Sequence, residues 1–166
     1  MPEFRGMNLM VPEHDTEYRG YLLAAGEKRL VMKKCSGCGL LRFPPGAACP
    51  WCQSLESIWE QVSGKGTIYT YSVVMQAIQP GFRDWAPYPI VLVELDEQRN
   101  VPNQGDALRI TTNLVTDAGA AEKEENVGIG KRVEVTFFEL GDGLGLPQFK
   151  LSDEPPAGAV WQFQVK

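Results

Sequence analysis

Cys35-Ser36-Gly37-Cys38 and Cys49-Pro50-Trp51-Cys52 repeat one step, two cysteines separated by two residues, with ten residues between the steps. Two thiolates at this spacing converge when the chain turns between them. Two such turns place four soft donors about 2.3 Å from a tetrahedral ion. The chain has 4 cysteines in all, so the pattern uses every one. The gap between the steps is shorter than the roughly fifteen to twenty residues of longer zinc ribbons, and Pro44-Pro45-Gly46 supplies the turn that a short return needs. Zinc suits the set, and a rubredoxin-type iron site has the same ligands and geometry. Four protein ligands leave no open position for water or substrate, so the expected metal is structural. A disulfide framework would suit a secreted chain. The opening MPEFRGMNLMVPEHD has no basic segment ahead of an apolar run, and no stretch reaches about eighteen apolar residues. The expectation is a cytoplasmic protein with no membrane span.

The rest of the chain reads as mainly β. Gly and Pro number 17 and 12 among 166 residues, a turn-rich composition that suits short strands. Residues 1–12 look irregular. At residues 15–25, Tyr18, Tyr21, Leu22 and Ala25 fall on one helical face, with Asp15 as N-cap and Gly26 past the end. Strands are expected at 28–34 and 57–62, bracketing the cysteines. A long curved strand follows at 67–77, then strands at 90–95, 107–115, 132–140 and 148–151, with a polar loop or helical turn at 116–130. Five strands after the ribbon fit a small Greek-key barrel of the OB type, and an immunoglobulin-like sandwich would give the same pattern. The expected division is an N-terminal segment with a short helix at 1–27, a metal ribbon at 28–63, a barrel at 64–152 and a tail at 153–166.

Few residues suggest catalysis. The chain has 1 histidine, His14, which reads as solvated, and no nucleophile–base set stands at a recognisable spacing. Gly64-Lys65-Gly66 and Gly141-Asp142-Gly143-Leu144-Gly145 lack the context of phosphate loops and read as turns. QPGFRDWAPYP, residues 79–89, sets Phe82, Arg83, Trp85 and Tyr88 between two strands. Rings with one cation could hold an adenine, an acyl chain or a protein surface, or they could cap the barrel core. The tail carries Trp161 and Phe163, to pack on its own barrel or on a partner. With 16 Lys plus Arg against 21 Asp plus Glu, a net charge of −5 argues against phosphate-backbone binding. A single-stranded nucleic-acid module would also need cations among the strand aromatics, and strand 67–77 has Tyr69 and Tyr71 with no Lys or Arg.

Taken in order, the segments KKCSGCGLLRFPPGAACPWCQS, WEQVSGKGTIYTYSVV, PYPIVLVELDE, IGKRVEVTFFEL and LPQF resemble domain of unknown function family 35, acyl-CoA-associated proteins that join a rubredoxin-like zinc ribbon to an OB-fold. The resemblance covers residues 18–151. It implies that the chain is not a catalyst by itself but a subunit of a thiolase-like enzyme (thiolase, acyltransferase or aldolase), helping to bind the CoA thioester, or a scaffold between two acyl-CoA enzymes. On that reading the partner is a thiolase-like homodimer in a heterotetramer, Cys35, Cys38, Cys49 and Cys52 bind the zinc, and Phe82, Arg83, Trp85 and Tyr88 line the CoA entry. Two positions depart from the family pattern. Gly46 replaces an Arg common after the Pro pair, which puts a phosphate contact there in doubt, and Gln53 replaces a Gly common after the last ligand.

Overall fold

The computed structural model describes residues 1–15 and 17–163. The chain opens on a hairpin, β1 (Glu3–Phe4) and β2 (Met7–Asn8), where an irregular segment was expected. Arg5 and Gly6 turn it with φ of 52° and 74°, the left-handed pair that a two-residue hairpin requires. Helix α1 (Arg19–Gly26) starts later than the pattern of Tyr18 and Leu22 implies. Asp15 is the reason: its Oδ1 accepts the N–H groups of Glu17 at 2.7 Å and Tyr18 at 2.6 Å. These bonds, the Tyr18 N–H foremost, hold the Asp15 carboxyl below its ordinary pKa. They organise a turn ahead of the helix, and Tyr18 takes the N-cap position.

The ribbon is a small antiparallel sheet of β3 (Val31–Cys35), β4 (Leu41–Arg42) and β5 (Ser57–Gln61), ordered β4-β3-β5. β3 begins after the expected position because Lys28 is left-handed, at φ 61°. The second sheet holds β6 (Lys65–Val74), β7 (Tyr88–Arg99), β8 (Ala107–Asn113), β9 (Arg132–Gly141) and β10 (Leu144–Leu151) in the order β10-β9-β6-β7-β8. Past β8, Leu114 forms a parallel bridge to Phe149 and the Val115 N–H donates to the Phe149 carbonyl at 2.8 Å. The sheet thereby curls into a nearly closed five-stranded barrel of the OB type, which excludes the sandwich. A register shift between Ile68 and Thr70 bends β6, as its long mixed pattern anticipated. Gly141, Asp142 and Gly143, all at positive φ, make the β9–β10 turn, and Gly64 turns the chain into β6. The 116–130 segment contains a single 3₁₀ turn, Glu124–Asn126.

Alternation sends Val91, Val93 and Leu95 of β7 inward to meet Ile68, Ile110, Val133 and Phe149. The same core continues through Tyr21 of α1 and Leu30, Met32 and Leu41 of the ribbon. Helix and barrel approach so closely that a Cβ on Gly145 would lie 2.6 Å from the Ala25 carbonyl carbon, which only glycine permits. Buried Gln98 of β7 fastens the ribbon by a reciprocal pair: its Oε1 accepts the Leu41 N–H at 2.8 Å and its Nε2 donates to the Leu41 carbonyl at 3.0 Å. Ribbon and barrel are thus welded by apolar packing and by a side chain that imitates a strand partner.

Candidate metal centre and aromatic corner

Cys35 ends β3, and its carbonyl accepts the Gly39 N–H at 2.9 Å, closing the first turn. The second turn is closed when the Cys49 carbonyl accepts the Gln53 N–H at 2.9 Å. The four sulfurs lie within 4.8 Å of one another, with Cys35 to Cys52 at 3.4 Å and Cys38 to Cys49 at 3.6 Å. A tetrahedral ion with metal–sulfur bonds of about 2.3 Å requires sulfur–sulfur edges of about 3.8 Å, so the cage already has the size of its ion. Hydrogen bonds favour the thiolate at Cys35: the Cys38 N–H foremost, then the Cys52 thiol and the Gly37 N–H at 3.3 Å, bring its thiol down to about 6 against the opposing effect of burial. At Cys38 the Leu40 N–H acts in the same sense but is outweighed by burial and the neighbouring cysteine side chains, which push that thiol up to about 12. Cys35 and Cys49 are buried, Cys38 and Cys52 exposed. Gln53 sits at φ 62°, a left-handed position where a glycine would be unstrained. The Gly46 carbonyl accepts from Arg42 Nε and Nη2 at 3.1 and 3.0 Å, so an arginine four residues earlier occupies this turn. When bound, the ion would cross-link the two turns; all four donors come from the protein.

The other four sequence candidates divide. Phe82, Trp85 and Tyr88 come together, with Trp85 stacked on Tyr88 at 5.1 Å between ring centroids and Phe82 at 5.1 Å from Tyr88. Arg83 is exposed beside them. The cation on the cluster is Arg5, whose guanidinium carbon lies 4.6 Å from the Trp85 centroid while its Nε donates to the Gly81 carbonyl at 2.8 Å. Phe4 adds a third wall, 5.7 Å from Phe82, and Trp85 is buried with its indole N–H unpartnered. The N-terminal hairpin therefore roofs this loop. Sequence reasoning missed Arg5, although Arg5-Gly6 between Phe4 and Met7 is a hairpin cue. His14 is exposed.

Two grooves lie elsewhere on the molecule, the second of them lined by the tail aromatics that stood out in the sequence. A groove of about 390 Å³ runs between ribbon and β8, lined by Phe43, Trp51, Arg42 and Arg109 among others. A second, of about 410 Å³, lies between β6 and the tail, lined by Tyr71, Val73, Met75, Glu124, Trp161 and Phe163 among others. No helix among the described residues is long and apolar enough to cross a membrane.

Comparison with known proteins agrees with this architecture. Residues 24–56 match the family described as "ChsH2, rubredoxin-like zinc ribbon domain", and residues 59–138 match "ChsH2, C-terminal OB-fold domain". A "DUF35 domain-containing scaffold protein" of Methanocaldococcus jannaschii is 37% identical over 112 residues, 67% of this chain and 69% of that protein. Its counterpart in Methanothermobacter thermautotrophicus is 40% identical over 67% of this chain and 73% of its own length. A "probable enoyl-CoA hydratase alpha subunit" of Thermomonospora curvata is 35% identical over 76% of this chain, which spans only 35% of that protein. Among solved structures, a chain described as "Ltp2-ChsH2(DUF35) aldolase" superimposes with a TM-score of 0.67 at 31% identity, covering 85% of this chain and 98% of the other. A zinc ribbon with four cysteines placed for a metal, welded to an OB barrel and matched along both parts, makes this chain a member of the ChsH2-type DUF35 family.

Proposed function

We propose that this chain is a non-catalytic subunit of a thiolase-like acyl-CoA enzyme, which helps to bind the CoA thioester and supports the catalytic partner. The observation that carries the reading is the match to a chain described as part of an Ltp2–ChsH2 aldolase, over 98% of that chain. The closed four-cysteine cage is consistent with it, since a fully protein-ligated metal holds structure rather than substrate. Cys35, Cys38, Cys49 and Cys52 bind one zinc on this reading. Phe82, Arg83, Trp85 and Tyr88 form the corner that meets the CoA thioester: exposed Arg83 faces a phosphate, the half-buried rings of Phe82 and Tyr88 meet the adenine or acyl group, and buried Trp85 is the floor that holds them. A two-fold partner presents each docking surface twice, so the complex is a heterotetramer with one copy of this chain per catalytic protomer. A second reading, a scaffold between two acyl-CoA enzymes, is favoured by the description of the Methanocaldococcus and Methanothermobacter relatives as scaffold proteins.

Co-expression with a thiolase-like subunit tests the proposal. The complex is expected to turn over CoA thioesters, with native mass giving two copies of each chain, while this chain alone shows no turnover. Cleavage or condensation of CoA thioesters by the purified chain alone at rates typical of enzymes would overturn it.

A further inference from the structure

We infer that the catalytic partner docks on the end of the barrel where the tail lies against β6, with Trp161 and Phe163 as its anchors; this deepens the subunit reading and rests on it. Apolar exposure concentrates here: Met75 is 69% exposed, Trp161 55% and Phe163 60%. Clusters of this kind, unlike single exposed side chains, mark interaction surfaces.

The tail is held in a way that keeps these rings outside. Trp161 and Ile129 exchange two backbone hydrogen bonds, N–H to carbonyl at 2.8 and 3.0 Å. Gln162 Nε2 donates to the carbonyls of Glu125 and Val127, each at 2.9 Å, and the Phe163 N–H donates to the Tyr71 hydroxyl at 2.8 Å. Gly128 permits the approach, since a Cβ there would lie 2.7 Å from Val160 Cγ1. A segment pinned by its backbone keeps two large aromatics at the surface in a fixed geometry, which lowers the ordering cost of burying them against a partner. Tyr71, Val73 and Met75 form the opposite wall of the groove. Past Ile68, β6 has no ladder partner on its side away from β7 among the described residues.

Charge selects the occupant. Glu124 lines the groove, neighbouring Glu125 is exposed with Lys123 3.9 Å away as its ion-pair partner, and the chain carries −5 overall, so the acidic character of this rim rests on Glu124 and the net charge. A second copy would bring acidic rim against acidic rim, whereas a different subunit with an apolar patch rimmed by Lys or Arg complements both features.

The test is co-purification of full-length variants with a thiolase-like subunit, alongside melting temperature, metal content and sedimentation of the variant chain alone. Trp161→Asp with Phe163→Asp, and separately Met75→Asp on the opposite wall, are expected to weaken association more than about 30-fold, the loss typical of a hot-spot residue. Ile58→Asp, equally exposed but on the ribbon, is expected to leave association intact. Metal content should match wild type in all. Met75 keeps the test valid should the tail variants melt early, because it is on the wall that does not depend on the tail. Undiminished association of both groove variants, with wild type bound, would overturn the docking surface and leave the subunit reading standing. A wild-type chain that binds no thiolase-like subunit would overturn both. A wild-type chain that dimerises alone and becomes monomeric in the groove variants would assign the face to a second copy and overturn the partner assignment.

Discussion

Cys38 illustrates how much can rest on one side chain. It is an exposed donor, yet the cage it completes fixes a ribbon whose Leu30, Met32 and Leu41 belong to the same apolar core as the barrel. Where a site forms only on folding, metal-binding free energy is folding free energy. Cys38→Ser is therefore expected to abolish stoichiometric zinc, unfold the ribbon, and lower the stability of the barrel as well, by several kcal/mol on the order of a lost structural metal. Elemental analysis and thermal melts with and without a chelator check this; absence of both zinc and iron from freshly purified wild type would refute the metal assignment. The ligand identities were legible because ligand spacing is local. Gln53 shows the converse: its left-handed backbone became visible only in three dimensions.

Among the elements, the β1–β2 hairpin and the 80–89 loop matter most to the proposed ligand corner. Arg5 and Gly81 are separated by 76 positions, and so close that a Cβ on Gly81 would sit 2.4 Å from the Arg5 carbonyl oxygen. This contact explains why the loop buries Trp85, in keeping with the core-capping alternative open for these rings in the sequence. The consequences of Arg83 and Trp85 substitutions therefore separate. Trp85→Ala is expected to cost about 3–5 kcal/mol, since it empties a space shared by Phe82, Tyr88 and Arg5. Arg83→Ala, on an exposed side chain, is expected to leave the melting temperature within error and raise KM for the CoA thioester in the complex about tenfold, the loss of one charge-assisted contact. Steady-state kinetics of the complex with matched melts decide it; unchanged KM for Arg83→Ala would remove this residue from the ligand corner.

Across the whole molecule, one ionic cluster joins β6, β7, β9 and the start of the tail. Arg132, 10% exposed, donates to Asp96 at 2.8 and 2.5 Å, to Glu154 at 2.9 and 3.1 Å, and to Thr67 Oγ1 at 2.9 Å; Lys65 also pairs with Glu154. The Arg132 hydrogen bonds hold the Asp96 carboxyl below its ordinary pKa, and Lys65, then Arg132, do the same for Glu154. A depressed carboxylate contributes stability that is complete above its unfolded value, about 4, and is lost as pH falls through the lower folded value. Asp96→Asn is expected to cost about 1 kcal/mol at pH 7, a modest figure because Asp96 is partly solvated. That difference should diminish as pH falls below about 4 and disappear only once pH passes the lower folded value, where both chains carry a neutral group. Denaturant melts of the two chains from pH 7 to pH 3 check this; a constant difference across the range would exclude the pair as its source.

The sequence by itself determined that four cysteines are placed for a metal, that five barrel strands follow them, and that the chain turns at 64–66 and 141–143, because each depends on residues a few positions apart: cysteine spacing, alternation in IVLVEL and RVEVTFFEL, glycines at 141 and 143. Tertiary structure alone decided which apolar side chains became core and which became surface. Trp85 and Trp161 are the same residue type in similarly aromatic segments, yet one is 8% exposed beneath a hairpin from the other end of the chain and the other 55% exposed on a pinned tail. Tertiary structure also decided that Gln98 clasps Leu41 across 57 positions. The energy of such contacts depends on two distant segments meeting, and neither segment carries a local pattern that names the other.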